Sequence, residues 1–483
     1  MPLPTVALDT TFAELYARDA DETPLPVFLP FFPSTEVDLS DTVPKVQKYL
    51  YHDTSVNPST SSPDDMRAYA SYASAKYLGL LPQRFAFTAG AMPTVLFGTR
   101  PKVFDQLPEH QRPRVRMYDG PDDVQLQDGE RLAASYPIDQ LERLPHLVDP
   151  ETHYELLSKR GLALSGLTTP AAIILDLDPN HPVLPGAVVL VSRERTSKIG
   201  HTMRLGEREE GPGWIELGEW IRTHEIPFVV KLQQSVSGAG TWLATSESSR
   251  SKIASELPDI AAHYITKVSS TSNAHLLPAS LIFTSLVPSD AETIPLNFFL
   301  TRSGTPIFLG STRQIMSAEN EWSGSFIHYP SQKDLEKRLD GTMRDIARWL
   351  YGRGYYGPVG ADVMEESRAE GGEKVQWVVD LNVRTPSSMV LALLSSHFTS
   401  LSPTPLPYAC LLPDLRPQES TFEAFAEKWS AGGRCVCIGW LDARDEDEGR
   451  AWASVVLGAE DEERLENEVK RMREVCGGGS GDE

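Results

Sequence analysis

Asp380-Leu381-Asn382-Val383-Arg384 closes an apolar run and sets a carboxylate, an amide oxygen and a guanidinium at alternate positions. In a strand, alternate side chains share a face, so Asp380, Asn382 and Arg384 project together while Val379, Leu381 and Val383 point into apolar packing. Asp362 lies in the preceding run, GPVGADVM, across a Glu/Gly-rich turn. If the two runs pair as a hairpin, Asp362 comes within cross-strand reach of Asp380, the length of the turn leaving the register open. Two carboxylates and an amide oxygen form a hard-oxygen set suited to Mg2+, with Mn2+ as the alternative ion, and such a cation completes its shell with water and substrate phosphates. The solvated outer face of an edge hairpin would explain an isolated Asp-x-Asn-x-Arg string. The strongly apolar flanks argue instead for a strand buried on one face.

A second segment could hold the phosphates that such a cation bridges. IPFVVKLQQSVSGAGTWLA (226–244) reads as a strand carrying Lys231, a polar turn with Ser237, Gly238 and Gly240, and a second strand. Glycines let backbone N–H groups approach phosphate oxygens, and Lys231 supplies a point charge at the mouth of the hairpin. No helix follows the glycines and no Gly-Lys-Ser/Thr ending is present, which excludes a P-loop or a dinucleotide-binding turn. Downstream, LIFTSLVP (281–288) is an apolar strand whose end, at Ser285 and Val287, could offer backbone atoms to an adenine edge. STRQIMSAENEWSGSFIHYP (311–330) is a candidate substrate wall: Arg313 could fork onto a carboxylate, with Ser323 and Gly324 in the loop beside it.

These residues need elements to hold them. Residues 1–24 are polar and acidic and are expected to be flexible, with folding starting at PVFLPFFP. Helical spacing runs through Met66, Tyr69, Tyr72, Ala73 and Tyr77, and RFAFTAGAMPTVLFG (84–98) suggests a strand-to-loop-to-helix junction turning at Gly90. THYELLSKRGL predicts a helix capped by Gly161, with AAIILDL as the next strand. The runs AVVLV, PFVVKL, SLIFTSLV and LNFFL make 187–310 strand-rich. Leu335, Leu339, Met343, Ile346, Ala347 and Leu350 fit one helix over about 333–352. RCVCIGWLDA and WASVVLG predict two strands, ERLENEVKRMREV a charged helix, and GGGSGDE a disordered tail.

Composition narrows the class. A chain of 483 residues suits two to four packed units, and 40% hydrophobic content is enough to order most of it. The net charge of -22, with no basic stripe, makes nucleic acid a poor partner. It would also repel ATP at long range, so a phosphate site must be built from local cations and backbone N–H groups. Four cysteines, Cys410, Cys435, Cys437 and Cys476, suggest neither a zinc site nor a disulfide framework. With no leader-like start and no spanning apolar run, a cytoplasmic enzyme without membrane partners is expected.

Taken in order, LLSKRGL, VVKL with SGAG, LIFTSLV, GADVM and VVDLNVR resemble the ATP-grasp superfamily over roughly residues 145–395. The last motif is similar to its acid-x-Asn-x-Arg signature, with Asp380 where Glu is usual. The resemblance implies an α/β and α+β multidomain fold. A Rossmann-like domain (25–145) would precede an ATP-grasp domain (146–400, lid about 190–287), completed by 401–476, with 477–483 as tail. It implies Mg-ATP held by Asp362, Asp380 and Asn382, by Lys231, and by the lid at Ser237, Gly238 and Gly240. Arg384 and Lys231 would be the catalytic cations, and an acyl phosphate of a small carboxylate would be captured by an amine, amino acids being natural substrates. The chain looks nearest to peptide ligase-like enzymes of natural-product pathways, and a homo-oligomer is compatible with that. A small-molecule kinase and a non-catalytic nucleotide-binding relative are the alternatives. One departure stands out: where relatives carry an early phosphate-binding lysine, this chain reads VDPETHY, with Pro150 or His153 in its place. Lys159 could supply the missing charge from the next turns, but a surface lysine before a helix C-cap is the commoner explanation.

Overall fold

A computed structural model of the chain describes residues 5–19, 24–35, 38–39, 43, 45–52, 70–177, 190–192, 217–235, 240–267, 272–288, 291–316, 322–367, 374–401, 404–443 and 450–477. Strands β1 (Val27–Leu29), β2 (Pro93–Phe97), β3 (Arg114–Tyr118) and β4 (Leu132–Ala134) are short, and the first two are apolar at nearly every position. Such runs suit strands covered on both faces. All four pair in parallel in the order β3-β2-β1-β4, the order with which a doubly wound sheet begins.

Between β1 and β2 the helical pattern continues further than its spacing suggests. A π-helical turn, Ala75–Leu80, leads into the helix Leu81–Ala86. Pro82 has no N–H to give, and just before it the Leu81 N–H reaches back to Lys76 O. The junction expected over 84–98 is therefore a last helical turn, a glycine turn and strand β2. Phe85, Phe87 and Met92 are buried throughout it, and burial alone does not distinguish a short helix from a strand. The flexible terminus expected for 1–24 is corrected too. The helix Phe12–Ala17 starts on a Thr11/Glu14 capping box and buries Phe12, Leu15 and Tyr16.

Three antiparallel sheets follow. β5 (Ala172–Leu177), β6 (Leu190–Ser192), β7 (Phe228–Leu232), β8 (Thr241–Ala244) and β9 (Leu281–Ser285) pair in the order β6-β5-β9-β7-β8. This sheet has a core of its own, joining Phe228, Val230 and Phe283 to Trp220 and Leu257 of the helices Leu217–Thr223 and Glu247–Thr266. β10 (Glu292–Leu300) and β11 (Pro306–Ser311) pair with β14 (Gly357–Ser367) and β15 (Lys374–Asn382) in the order β11-β10-β14-β15. β12 (Arg313–Met316) and β13 (Trp322–His328) leave that ribbon to join β16 (Tyr408–Leu415), β17 (Cys435–Leu441) and β18 (Trp452–Ala459) in the order β12-β13-β16-β18-β17.

As its spacing predicts, the helix Gln332–Tyr351 buries Leu339, Met343, Ile346, Ala347 and Leu350, and it lies on β10 and β11. One continuous core joins the parallel sheet to β10, β14 and β16–β18. The architecture is thus mixed α/β, a parallel sheet followed by antiparallel sheets. The four cysteines are buried free thiols. Among the described residues no helix is long and apolar enough to cross a membrane. The tail 478–483 and the lid residues Ser237 and Gly238 lie outside the described residues.

Candidate functional site

The hairpin β14–β15 settles the register that the sequence leaves open. Asp362 stands opposite Asp380 and Gly360 opposite Asn382. Beyond Asp362 the pairing shifts and Val379 becomes an extra residue, a bulge of the kind that re-aims groups at a site. The Val379 carbonyl accepts a 2.7 Å hydrogen bond from Lys231 Nζ, which arrives from β7 of the neighbouring sheet. The bulge therefore supplies the tether that brings the lysine of one sheet to the acids of another.

Facing carboxylates repel one another, and the site shows it. Burial and the charge of Asp380 push the Asp362 carboxyl up to about 6. Burial pushes Asp380 upward as well, but Lys159 and Lys231 outweigh it and hold that carboxyl below its usual range. Burial lowers the Lys231 ammonium against the pull of Asp380. Among the described residues no cluster of three or more His, Cys, Asp or Glu converges. Two acids and the Asn382 amide make an incomplete shell, which fits Mg2+ better than an ion that needs an all-protein cage. In this structure Asn382 Oδ1 accepts from Arg384 Nη2 at 2.8 Å, and the Arg384 guanidinium lies 5.1 Å from the Tyr136 ring centre.

Lys159 corrects the reading of its segment. The expected single helix is two, Pro150–Leu156 and Lys159–Ala163, because the Ser158 side chain caps a fresh helix start by accepting from Gly161 N at 2.7 Å. Gly161 is inside the second helix and is not a C-cap. Lys159 donates its backbone N–H to Gln233 O, just past β7, and its ammonium pairs with Asp380. It is a cleft residue and not a surface one. The serine after LL, three residues before a glycine, is the signal in the sequence. His153, standing where an early lysine was sought, is buried on Val383 O, and burial lowers it to about 4, so it is a neutral prop behind β15.

A side chain at position 161 would meet the Glu155 carbonyl at 2.3 Å. Gly161→Ala should lower stability by about 2 kcal/mol and displace Lys159 from Asp380. Thermal unfolding together with nucleotide titration checks this, and unchanged affinity in a destabilised variant would separate Lys159 from the phosphates.

A cavity of about 320 Å3 opens between these elements, lined by Lys159, Lys231, Thr241, Asp362, Asp380 and Arg384 among others. Gln314 lines it too and donates to Asp362 Oδ1 at 3.0 Å. Arg313, the expected carboxylate fork, is one residue away and hence on the other face of β12, where it pairs with Glu462 at 2.7 Å. Ser323 is bulged out of β13 and held by Ile315 O and Arg473, while Gly324 backs onto the Leu411 carbonyl. Trp322 and Ser325 take the cleft face instead. The adenine positions also fall elsewhere. Ser285 donates its N–H to Ala171 O in the sheet, Val287 is buried, and neither lines the cavity. Gly240 closes the hairpin base with φ +66°, where a Cβ would meet His52 at 2.9 Å, so glycine is required there sterically.

No protein-family model matches the chain, and comparison with curated proteins finds no relative. Among solved structures it is similar to N5-carboxyaminoimidazole synthetase from Staphylococcus aureus complexed with ADP, at 10% identity over 82% of this chain and 95% of that one, TM-score 0.45. Phosphoribosylamine–glycine ligase from Thermotoga maritima gives 10% identity, 82% and 93% coverage, and TM-score 0.43. A biotin carboxylase from Campylobacter jejuni, solved as a β,γ-ATP complex, gives 10% identity and TM-score 0.34. The match covers 52% of this chain and spans 58% of the carboxylase. Likeness at this level assigns no residue a role.

Proposed function

We propose that the protein is an ATP-grasp carboxylate–amine ligase that activates a small acid as its acyl phosphate and passes the acyl group to an amine. One observation carries the reading: the facing pair Asp362 and Asp380 shares a cleft with Lys159 and Lys231, which come from two other elements. Two acids beside two lysines suit a metal–triphosphate, whose charges alternate in the same way. In this reading Lys159 and Lys231 hold phosphate oxygens, and Asp362, Asp380 and Asn382 hold a Mg2+ ion, which would draw charge from the terminal phosphoryl group.

The carboxylate oxygen of the acid forms a bond to the γ-phosphorus as the bond to the β-bridging oxygen breaks, and ADP leaves. The amine nitrogen then adds to the acyl carbon. Arg384, beside the acids, is the cation placed to steady the tetrahedral oxyanion before phosphate departs. Amino acids are suitable acids and amines for such a site, as they would be for the peptide ligase-like enzymes of natural-product pathways that the sequence resembles. The same reading divides the chain near 145 and 400, although β12 and β13 share a sheet with β16–β18.

Nucleotide chromatography of a reaction supplied with candidate acids and amines tests the route. ADP and phosphate should appear in step with amide. Stoichiometric AMP would overturn the acyl phosphate, and ADP with a phosphorylated product but no free phosphate would make the protein a kinase.

A further inference from the structure

Arg84 sits on the wall of the same cleft, in the helix Leu81–Ala86 of the N-terminal region, and its side chain is only 2% exposed. Its Nε and Nη1 groups are buried without a hydrogen-bond partner, and among the described residues no carboxylate lies within ion-pair distance of it. An acid that acts on it, Asp414, offers Oδ2 to Lys76 at 3.3 Å and to the Tyr72 hydroxyl, while its Oδ1 is buried without a hydrogen-bond partner. Lys76 lines the cleft as well, and Arg384 acts on Arg84 with the same sign. Lys76 and Arg84 thus share one carboxylate, Asp414, with Arg384 adding to the positive charge on Arg84, in a chain that carries a net -22. A buried guanidinium with two idle donors is costly unless an anion meets it. Around it stand Tyr77, Phe85 and Trp322, whose ring centre lies 5.7 Å from the guanidinium carbon.

Resting on the ligase reading above, we infer that Arg84 anchors a second anionic group of the acid substrate, so that the cleft selects acids with two anionic groups over simple monocarboxylates. The reacting carboxylate needs a free oxygen to attack phosphorus, and a bidentate guanidinium would occupy both of its oxygens. Arg84 therefore suits the group that is not phosphorylated, with Lys159, Lys231 and Arg384 left to the reacting end. The aromatic wall would cover the carbon skeleton between the two ends.

The test measures, by calorimetry with Mg-bound non-hydrolysable ATP analogue present, the binding of succinate, glutarate and phenylsuccinate against butyrate, pentanoate and 4-phenylbutyrate. A dicarboxylate should bind at least about tenfold more tightly than its monocarboxylate counterpart. Arg84→Met should reduce that ratio to about one and Arg84→Lys should restore part of it, with affinity for the nucleotide analogue unchanged in both. No preference in the wild type, or a preference that survives in Arg84→Met, overturns the inference. Loss of analogue binding by the wild type would instead defeat the ligase reading. Should Arg84→Met fail to fold, Trp322 gives a second readout. The emission change on adding phenylsuccinate should vanish in Trp322→Phe, and a change of undiminished size would overturn the assignment.

Discussion

Asp380→Asn is expected to fold and to turn over at about one-hundredth of the wild-type rate or less, the loss of roughly 3 kcal/mol of charge interaction. Lys159, Lys231, Asp362 and Asp380 balance as two cations and two anions within one cleft. Asparagine keeps the volume and can still accept from Lys159, so the helix start at Ser158 has no reason to move. The charge balance does change, from zero to +1. A divalent cation is then disfavoured, whereas a metal-free polyphosphate is not. ADP titrated without Mg2+ should bind the variant as tightly as wild type or more so, while the gain on adding Mg2+ disappears. Phosphate release at near-normal rate with unchanged Mg2+ dependence would remove Asp380 from the metal site.

The part of this site that the sequence discloses is the part governed by a local period. Asp380, Asn382 and Arg384 alternate with buried Val383 and Leu381, and two-residue periodicity is enough to place them on one face. Lys231 is legible for the same reason, as the one charged position in FVVKL. What escapes is set by breaks in a period. The bulge at Val379 and the bulge at Ser323 each shift a face by one residue, the second setting Trp322 on the cleft face with Ser325. Lys159 escapes because one serine hydroxyl ends a helix and starts another within a run that reads as continuous. Arg84 escapes because a π-turn and Pro82 carry a helix into residues whose apolar content suits a strand equally well. The Rossmann-like region, by contrast, is expected from the family resemblance, and PVFLPFFP and the run ending in PTVLF are the parts of its parallel sheet that the residues themselves disclose.

Lys231→Met should weaken ADP binding by about a hundredfold, since a half-buried ammonium on phosphate is a charge-assisted contact worth roughly 3 kcal/mol. The substitution keeps the length of the stem but gives up the bond to the Val379 carbonyl. A lost buried bond of that kind costs about 1–3 kcal/mol, so the melting temperature should also fall. It also leaves Asp362 and Asp380 with Lys159 but without Lys231 to offset their charges, which strengthens their repulsion. Combining it with Asp380→Asn relieves that repulsion, so the double variant should be more stable than the sum of the two single losses predicts. Lys231→Arg should not recover affinity, because a planar fork cannot take the position of a point charge held on one carbonyl oxygen. Calorimetry with ADP and thermal unfolding on the four proteins of this cycle settle the matter together. Unchanged ADP affinity in a folded Lys231→Met protein would move the phosphates away from β7. Strictly additive stability losses would show that Lys231 does not act on the acid pair.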